Sequence, residues 1–596
     1  MKKPCLRAGK RRRNMAEYLS PGVYVEEFES GSQPMEGVST STAGFIGLAE
    51  RGPVEGVPQL VTNVADFKRM FGGHLSENEF GEYRFLSYAV DQFFLNGGSR
   101  CFVSRVAPAD AKCAEGAIPA DSPVLNFTSK NPGMWGDDIR IVITPASKAK
   151  TQIFEILETT QGNKYLVKNC AGFNAGDIVA FTDGENVVYN KVLRSQDNII
   201  TFENELEGDV VDKELLPKKT ISTCEISIEV GYGDIAEVYD NVSFNINASN
   251  YIEKKMAKSE LVSVQCTGET DASCSLFEAL AGEGKAVVTV SLTGGSNGSV
   301  SSITAADFIG EDRGAGKRTG IQAFLDNDVV SIMAIPGVTD PNVQVTLVAH
   351  CENLGSRFAV LDMPRDLKKT DEIINHRNIF DSNYAALYHP WLTVFDPLDK
   401  KNIAVPPSGS VLGIYARSDN SRGVHKAPAN EVVRGCVGLD CQFNTGEQDI
   451  LNPKGVNLIR SFPGQGIRVW GARTASSNSS WKYINVRRLF IFIEESIKAN
   501  TNWAVFEPND EVLWVRVQRT ISVFLTNLWR NGSLAGTAPE EAFFVNIGRD
   551  TMSQDDIDNG RLVCIIGVAP VKPAEFVIFR ISQKTAEAAG GGEDAE

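Results

Sequence analysis

Histidine is scarce in this chain. Five occur in 596 residues, His74, His350, His376, His389 and His425, and none has H-x-x-x-H or Cys/His ligand spacing. That spacing sets imidazoles around a zinc ion, so no metal site is expected. No apolar run approaches the roughly 18 residues of a membrane-crossing helix, so direct membrane insertion is not expected. Paired cysteines are missing as well. The eleven cysteines are an odd number scattered from Cys5 to Cys564, without a C-x-x-C, and Cys436 and Cys441 are the closest two. This reads as reduced thiols in a cytoplasm, not as a disulfide framework. Positive charge is in deficit: 59 Lys and Arg against 75 Asp and Glu leave a formal charge of −16. Such a surface repels phosphate backbones, which argues against a nucleic-acid partner, and it favours solubility at high copy number.

The length exceeds the roughly 250–300 residues at which one core stops growing, so several domains are expected. A hydrophobic fraction of 42% is enough for ordinary cores and excludes a disordered chain. Residues 1–14 carry Lys2, Lys3, Arg7, Lys10 and Arg11 to Arg13 with no apolar region behind them, which is not a secretory signal. They read as a disordered basic extension or an upstream start, with Met15 as the natural first residue. A nucleic-acid arm is the alternative.

Patterns that carry chemistry are incomplete. Gly294-Gly295-Ser296-Asn297-Gly298 fits the G-x-S-x-G nucleophile elbow after an expected strand Ala286–Leu292, but Ser299-Val300-Ser301-Ser302 is poor material for the helix that must follow. Gly314-Ala315-Gly316-Lys317-Arg318-Thr319 lacks the first glycine of a phosphate loop, where Glu311 stands, and has Arg318 in place of Ser/Thr. Asp550, Asp555, Asp556 and Asp558 miss calcium-loop spacing and read as loop and cap residues. Asp362 and Asp396 follow expected strands and read as loop caps. No cofactor and no catalytic residue are expected.

Along the chain, Ser20-Pro21-Gly22 opens a β-prone run, Val23-Tyr24-Val25-Glu26-Glu27-Phe28, and Gly31 to Thr42 is a polar linker. An α/β stretch follows, with strands Ala43–Leu48 and Cys101–Val106 around a helix Tyr83–Leu95. Residues 124–292 turn to short β runs. Two of these, Ile139–Thr144 and Cys224–Val230, flank a self-contained β module at Ala149–Thr223, with strands near Ile178–Phe181, Val187–Leu193 and Ile199–Phe202. The α/β pattern resumes with strands Val329–Ile335, Arg357–Leu361 and Tyr384–Phe395 and helices Asn342–Leu354, Asp371–Phe380 and Ser408–Arg417. Near the end, Val486, Leu489, Phe490, Ile493 and Ile497 recur at helical spacing. Trp514, Val517, Ile521, Phe524, Leu525 and Leu528 do the same between a start at Pro508-Asn509-Asp510 and a stop at Gly532. Strands Phe543–Ile547 and Leu562–Val568 follow, then Pro570 and Pro573, then the apolar run Phe576-Val577-Ile578-Phe579-Arg580-Ile581. The tail 585–596 is Gly/Ala/acidic and reads as disordered.

A strand-like segment thus stands outside a linker at each end. An apolar strand left free is an aggregation hazard, so it folds back on its own domain or is received by another copy through strand addition. Head-to-tail exchange of this kind gives rings or helical filaments.

Leu19-Ser20-Pro21-Gly22-Val23-Tyr24-Val25-Glu26-Glu27, Asn131-Pro132-Gly133-Met134-Trp135-Gly136, Arg357 to Asp362, Tyr384 to Trp391 and Arg422 to Ala429 occur in a familiar order. Val469 to Thr474, Trp481 to Arg488, Trp503 to Asn509 and Gly567 to Phe576 continue it. Over most of the region from Glu17 to Lys584, leaving aside the β insertion, the chain resembles the contractile tail sheath proteins of phages and phage-tail-like injection systems, with His425 departing from an expected Trp. The resemblance implies a multidomain α+β and α/β structural subunit, not an enzyme, assembled in a bacterial cytoplasm into a phage tail or similar particle. It implies a central α/β domain (43–122 and 293–470), a β-rich outer domain (123–292) with the nested insertion 149–223, and an inner C-terminal domain (471–569). An N-terminal arm strand (15–30: Val23, Tyr24, Val25, Glu26, Phe28) and a C-terminal arm strand (570–584: Phe576 to Ile581) would be exchanged between subunits. The acceptor sheet would comprise Phe543, Phe544, Val545, Ile547, Leu562, Cys564 and Ile566. Gly31–Thr42 and the Pro570/Pro573 connector would act as hinges. Expected partners are further copies, an inner tube, and baseplate and tail-terminator or cap proteins; Arg487, Arg488, Arg516 and Arg519 would face the tube if its exterior is acidic. The alternatives are a non-sheath subunit of the outer shell or baseplate, or an oligomeric α/β enzyme.

Overall fold

A computed structural model describes residues 35–119, 124–157, 163–182, 187–204, 219–267 and 274–578. The N-terminal arm residues Val23 to Phe28 lie outside the described residues, as do Phe579, Arg580 and Ile581.

A nine-stranded sheet forms the centre, in the order Gln59–Val61, Cys101–Val106, Ala43–Leu48, Ile332–Ala334, Phe358–Asp362, Ala385–His389, Val456–Phe462, Gly466–Val469, Glu431–Val432. The six strands from Cys101–Val106 to Val456–Phe462 are mutually parallel, and antiparallel partners close the sheet on both sides. Every residue of Ala43–Leu48, Phe358–Asp362 and Ala385–His389 is buried. Continuous burial is what a parallel strand needs when helices cover both faces. Alternate side chains feed two cores: Phe45, Phe358 and Val360 join one, and Ile46, Ala359 and Leu361 the other. Helices Leu86–Leu95 and Ser408–Arg422 pack on the first face, Pro341–Leu354 on the second. The pairing on the first face needs glycine, because a Cβ at Gly409 or Gly413 would lie 2.3 or 2.4 Å from the carbonyl oxygens of Ala89 and Phe93.

The expected strand Tyr384–Phe395 is two strands, Ala385–His389 and Leu392–Asp396, separated by the cis peptide His389–Pro390 and belonging to different sheets. Proline has no N–H for a ladder, so the run is divided there.

Asp362 sits at the end of its strand and accepts from Ser408 N (2.9 Å), Ser408 Oγ (2.6 Å) and Gly337 N (3.1 Å), capping the helix that starts at Ser408. Burial raises its pKa to about 6 against these hydrogen bonds. Asp396 accepts from Tyr88 Oη and Leu398 N, both at 2.9 Å. Their structural partners account for both carboxylates.

The β-rich stretch contains a four-stranded sheet (Ile235–Val242, Glu225–Tyr232, Arg140–Ala146, Val288–Ser291) and a three-stranded one (Val262–Cys266, Leu125–Ser129, Glu115–Ile118) over a shared core. Between the paired strands Arg140–Ala146 and Glu225–Tyr232, six strands from Lys150 to Thr223 close into a barrel. The barrel has its own core, in which the rings of Tyr165, Phe181 and Phe202 meet edge to face with centroids 4.9–5.6 Å apart.

The C-terminal region packs helices Ile484–Asn500 and Glu511–Arg530 with the pair Phe543–Ile547 and Cys564–Val568. Helix Ile484–Asn500 serves two cores, with Ile484 and Ile491 against the central sheet and Leu489 and Ile493 against the C-terminal helix. Together these parts make a mixed α/β multidomain chain. Among the described residues, no helix is long and apolar enough to cross a membrane.

Candidate assembly site

Helix Glu511–Arg530 begins where Asp510 accepts from Leu513 N (2.9 Å) and ends before Gly532, whose φ of 77° suits glycine. Its buried face, Trp514, Val517, Ile521, Phe524, Leu525 and Leu528, is the one expected from spacing. That face supports the two-stranded sheet, and Gln518 Nε2 donates to Val545 O (2.8 Å). The strands pair antiparallel from Phe543 with Val568 to Ile547 with Cys564, and Leu562 lies just before the second strand. Val545 is buried, whereas Phe544 stands half exposed. The Phe544 ring covers its cross-strand partner Gly567, where a Cβ would lie 2.2 Å from the ring. No third strand joins this pair among the described residues, so each strand keeps an outer edge.

Beyond the sheet the chain crosses Pro570, bridged to Leu534, and passes Asn485, whose Nδ2 donates to Val571 O (3.2 Å). It is then pinned at Glu575. Arg473 binds that carboxylate through Nε (2.8 Å) and a terminal nitrogen (2.7 Å), Asn452 donates at 2.7 Å, Tyr483 Oη at 3.0 Å, and Lys482 stands 3.5 Å away. Desolvation here raises the carboxyl pKa, but the hydrogen bonds from Arg473 and Asn452 and the Arg473 charge outweigh it and hold Glu575 down at about 2. One residue later the chain is released: Phe576, Val577 and Ile578 are 72%, 69% and 79% exposed and form no strand within the subunit.

The depressed pKa fixes the sign of the pH response. The stabilisation from ionised Glu575 is complete above the ordinary value of 4.5 and is lost as pH falls through about 2. Glu575→Gln is therefore expected to loosen the connector at neutral pH by about 1.5–3 kcal/mol, the range of a charge-assisted hydrogen bond. Hydrogen exchange of a peptide spanning 570–578 checks this. Wild-type protection should decline only below about pH 4.5, and equal protection in the variant at pH 7 would refute the pin.

Residues 36–42, part of the segment expected to act as a hinge, are attached to the subunit. Ser41 and Thr42 are buried, and residues 36–40 lie along helix Ile484–Asn500. Arg488 donates to Thr40 O (3.0 Å) and forms an ion pair with Asp419 (2.5 Å), while Thr40 Oγ1 donates to the same carboxylate (2.6 Å). The Arg488 and Asp419 side chains are 3% and 4% exposed, so this pair ties the C-terminal helix, the central helix Ser408–Arg422 and the incoming chain together in a sealed contact.

Two of the four arginines expected to face a tube are turned inward instead. Arg487 is buried between the rings of Trp481 (4.4 Å) and Tyr384 (4.6 Å) and pairs with Glu494 (3.0 Å). Arg488 is buried as described, with its guanidinium over Tyr415. Helix Ile484–Asn500 is wedged between two cores, so more of its circumference is buried than its apolar spacing shows. Arg516 and Arg519 are exposed, Arg516 lying 4.1 Å over Trp503.

The chemical motifs resolve into structure. Ser296 exchanges backbone hydrogen bonds with Lys112 (3.0 Å each), and a short 3-10 turn follows it in place of a helix. Arg318 is held by Asp312 and Asp326. Asp556 caps the helix Gln554–Asp558 with Ser553, and Arg561 pairs with Asp555 and Asp556. His425 Nδ1 meets Ser533 Oγ at 3.0 Å. Sequence reasoning did not find Ser496, Asn500 or the residues around Glu575; the signal for the last lay in Lys572-Pro573-Ala574-Glu575-Phe576, where a carboxylate directly precedes an apolar run.

Residues 311–475 match the phage tail sheath protein central domain and residues 476–584 the phage tail sheath C-terminal domain. A prophage major tail sheath protein of Pseudomonas aeruginosa is 26% identical over 289 residues, 46% of this chain and 72% of that protein. The tail sheath protein of Escherichia phage P2 is 24% identical over 378 residues, 61% of this chain and 91% of its own length. The sheath complex of an extracellular contractile injection system, PVC, in its contracted state aligns with a TM-score of 0.50 and 21% identity, covering 96% of this chain and 99% of that one, a likeness of fold. These are structural proteins, not enzymes, and residues 311–584 of this chain match the two domain models of the phage tail sheath family.

Proposed function

We propose that this chain is the repeating subunit of a contractile sheath. It polymerises helically around an inner tube and contracts from a metastable extended lattice to drive the tube through a target envelope. The observation that carries this reading is the release of Phe576–Ile578 into solvent immediately after the Glu575 pin, in a subunit that also holds a two-stranded sheet with open edges. An apolar segment and an unfilled edge on one molecule are complementary between copies. Strand addition would supply main-chain hydrogen bonds and roughly 0.2–1 kcal/mol for each cross-strand pair. Because the donated strand and the accepting edge are different surfaces, the contact is head-to-tail and propagates. The N-terminal arm would join the same sheet from another neighbour, so the wall stays continuous while it shortens.

In this reading the C-terminal domain faces the tube, with Arg516 and Arg519 as its exposed basic positions, and the β-rich region with its barrel lies outside. Baseplate and terminator proteins would cap the polymer, which assembles in the bacterial cytoplasm. The test is negative-stain microscopy of the chain co-produced with its tube protein. Sheathed tubes with fixed stoichiometry are expected; discrete particles alone would refute the reading in favour of a baseplate or shell subunit.

A further inference from the structure

Arg488, Phe492, Ser496 and Asn500 recur every four residues and form one row along helix Ile484–Asn500. The segment 36–40 runs antiparallel to that row. Asn500 grips Glu36 as a strand would, donating Nδ2 to its carbonyl (2.8 Å) and accepting from its N–H (3.3 Å). Ser496 Oγ accepts from Val38 N (3.1 Å), and Arg488 reaches Thr40 O. Gly37 passes so close to Phe492 that a Cβ there would lie 2.6 Å from the ring. The two ends of the row differ. At Thr40 the contact is sealed by the buried Arg488–Asp419 pair, whereas Glu36 and Gly37 are exposed. Val38 and Thr40 also line two separate cavities, of about 440 and 350 Å³, so the segment is a strap with open space beside it and not part of a close-packed core.

We propose that this row is a reversible docking track for the chain's own linker. Residues 36–39 peel from it when neighbouring subunits are far apart and return to it when they close, with Thr40 as the fixed end. Peeling four residues lengthens the tether of the N-terminal arm by roughly 13 Å of extended chain. The track is therefore filled in the free subunit, emptied in the extended lattice and refilled on contraction, where redocking adds to the driving force. Asn500, Ser496 and Phe492 act on the linker through polar and close-packing contacts that are weak enough to reverse. The inference rests on the sheath reading and on the N-terminal arm joining a neighbour.

The experiment is hydrogen exchange of a peptide spanning 35–42 in three samples: free subunit, extended sheath on its tube, and contracted sheath. Protection in the free and contracted samples is expected, with exchange at least tenfold faster in the extended one. The double variant S496A/N500A should lose protection in the free subunit yet still assemble. Equal protection in both lattices, or the opposite order, overturns the track while leaving the sheath reading intact. Rapid exchange in the free wild-type subunit overturns docking itself. Absence of sheathed tubes by microscopy is the separate failure that removes the sheath reading, and with it this proposal.

Discussion

A chain ending at Glu575 is expected to remain folded and soluble and to form no sheaths. The first three residues removed are largely exposed and touch no core, so unfolding of the free subunit should shift by no more than about 0.5 kcal/mol, as for other changes away from packed positions. Glu575 itself stays, and with it the cage of Arg473, Asn452 and Tyr483 that directs the connector. What is lost, on the proposed reading, is the apolar segment that another copy would receive. Thermal unfolding measures the first half of the expectation, and negative-stain microscopy with the tube protein the second. Sheaths of normal length that still contract would eliminate the role of this segment in joining subunits.

The second large effect concerns the sealed pair. Asp419→Ala leaves the Arg488 guanidinium buried without its counter-charge and removes the acceptor of Thr40 Oγ1. Breaking one partner of such a pair costs about 3–5 kcal/mol, because the remaining charge pays full desolvation. Replacing both, as Asp419→Leu with Arg488→Met, should cost far less than the single change, since neither charge is then stranded. Urea unfolding of the three proteins distinguishes the cases; a single variant within 1 kcal/mol of wild type would mean water reaches Arg488 freely. The same variants should speed hydrogen exchange at Thr40, because both of its side-chain and main-chain contacts run through this pair.

How far the sequence carried depends on where the information resides. Ala43–Leu48 coincides with its observed bounds because an unbroken apolar run has one comfortable place, the interior of a parallel sheet, and Cys101–Val106 does so although Ser104 and Arg105 interrupt its apolar pattern. Helix Glu511–Arg530 was legible from its cap, its stop and its buried stripe. The helix expected from Tyr83 starts at Leu86 after a 3-10 turn, an ordinary fraying of helix ends. Tyr384–Phe395 was misread as one strand because its apolar pattern continues through Pro390. The assembly surface was less legible. The apolar run at Phe576 stood out by composition, yet the Glu575 cage draws on Asn452, Arg473, Lys482 and Tyr483, up to 123 positions away, and no local pattern encodes such convergence. Polar contacts likewise hid the attachment of residues 36–40, since Gly, Ser and Thr look the same in a loose tether and in a strap bonded through its backbone. Arg487 and Arg488 were misplaced for a related reason: adjacent arginines suggest solvent, whereas here one is sandwiched by rings and the other by a carboxylate.

The closed barrel at 150–223 has an implication for how such a chain can vary. Its entry and exit leave neighbouring rungs of the host sheet, where Ala146 pairs with Glu225. An excursion that begins and ends at adjacent points imposes little closure entropy on its host, and that entropy grows only logarithmically with the length spliced in. The site is thus a socket: domains of different size or surface can be exchanged there without retuning the register of the strands that hold it.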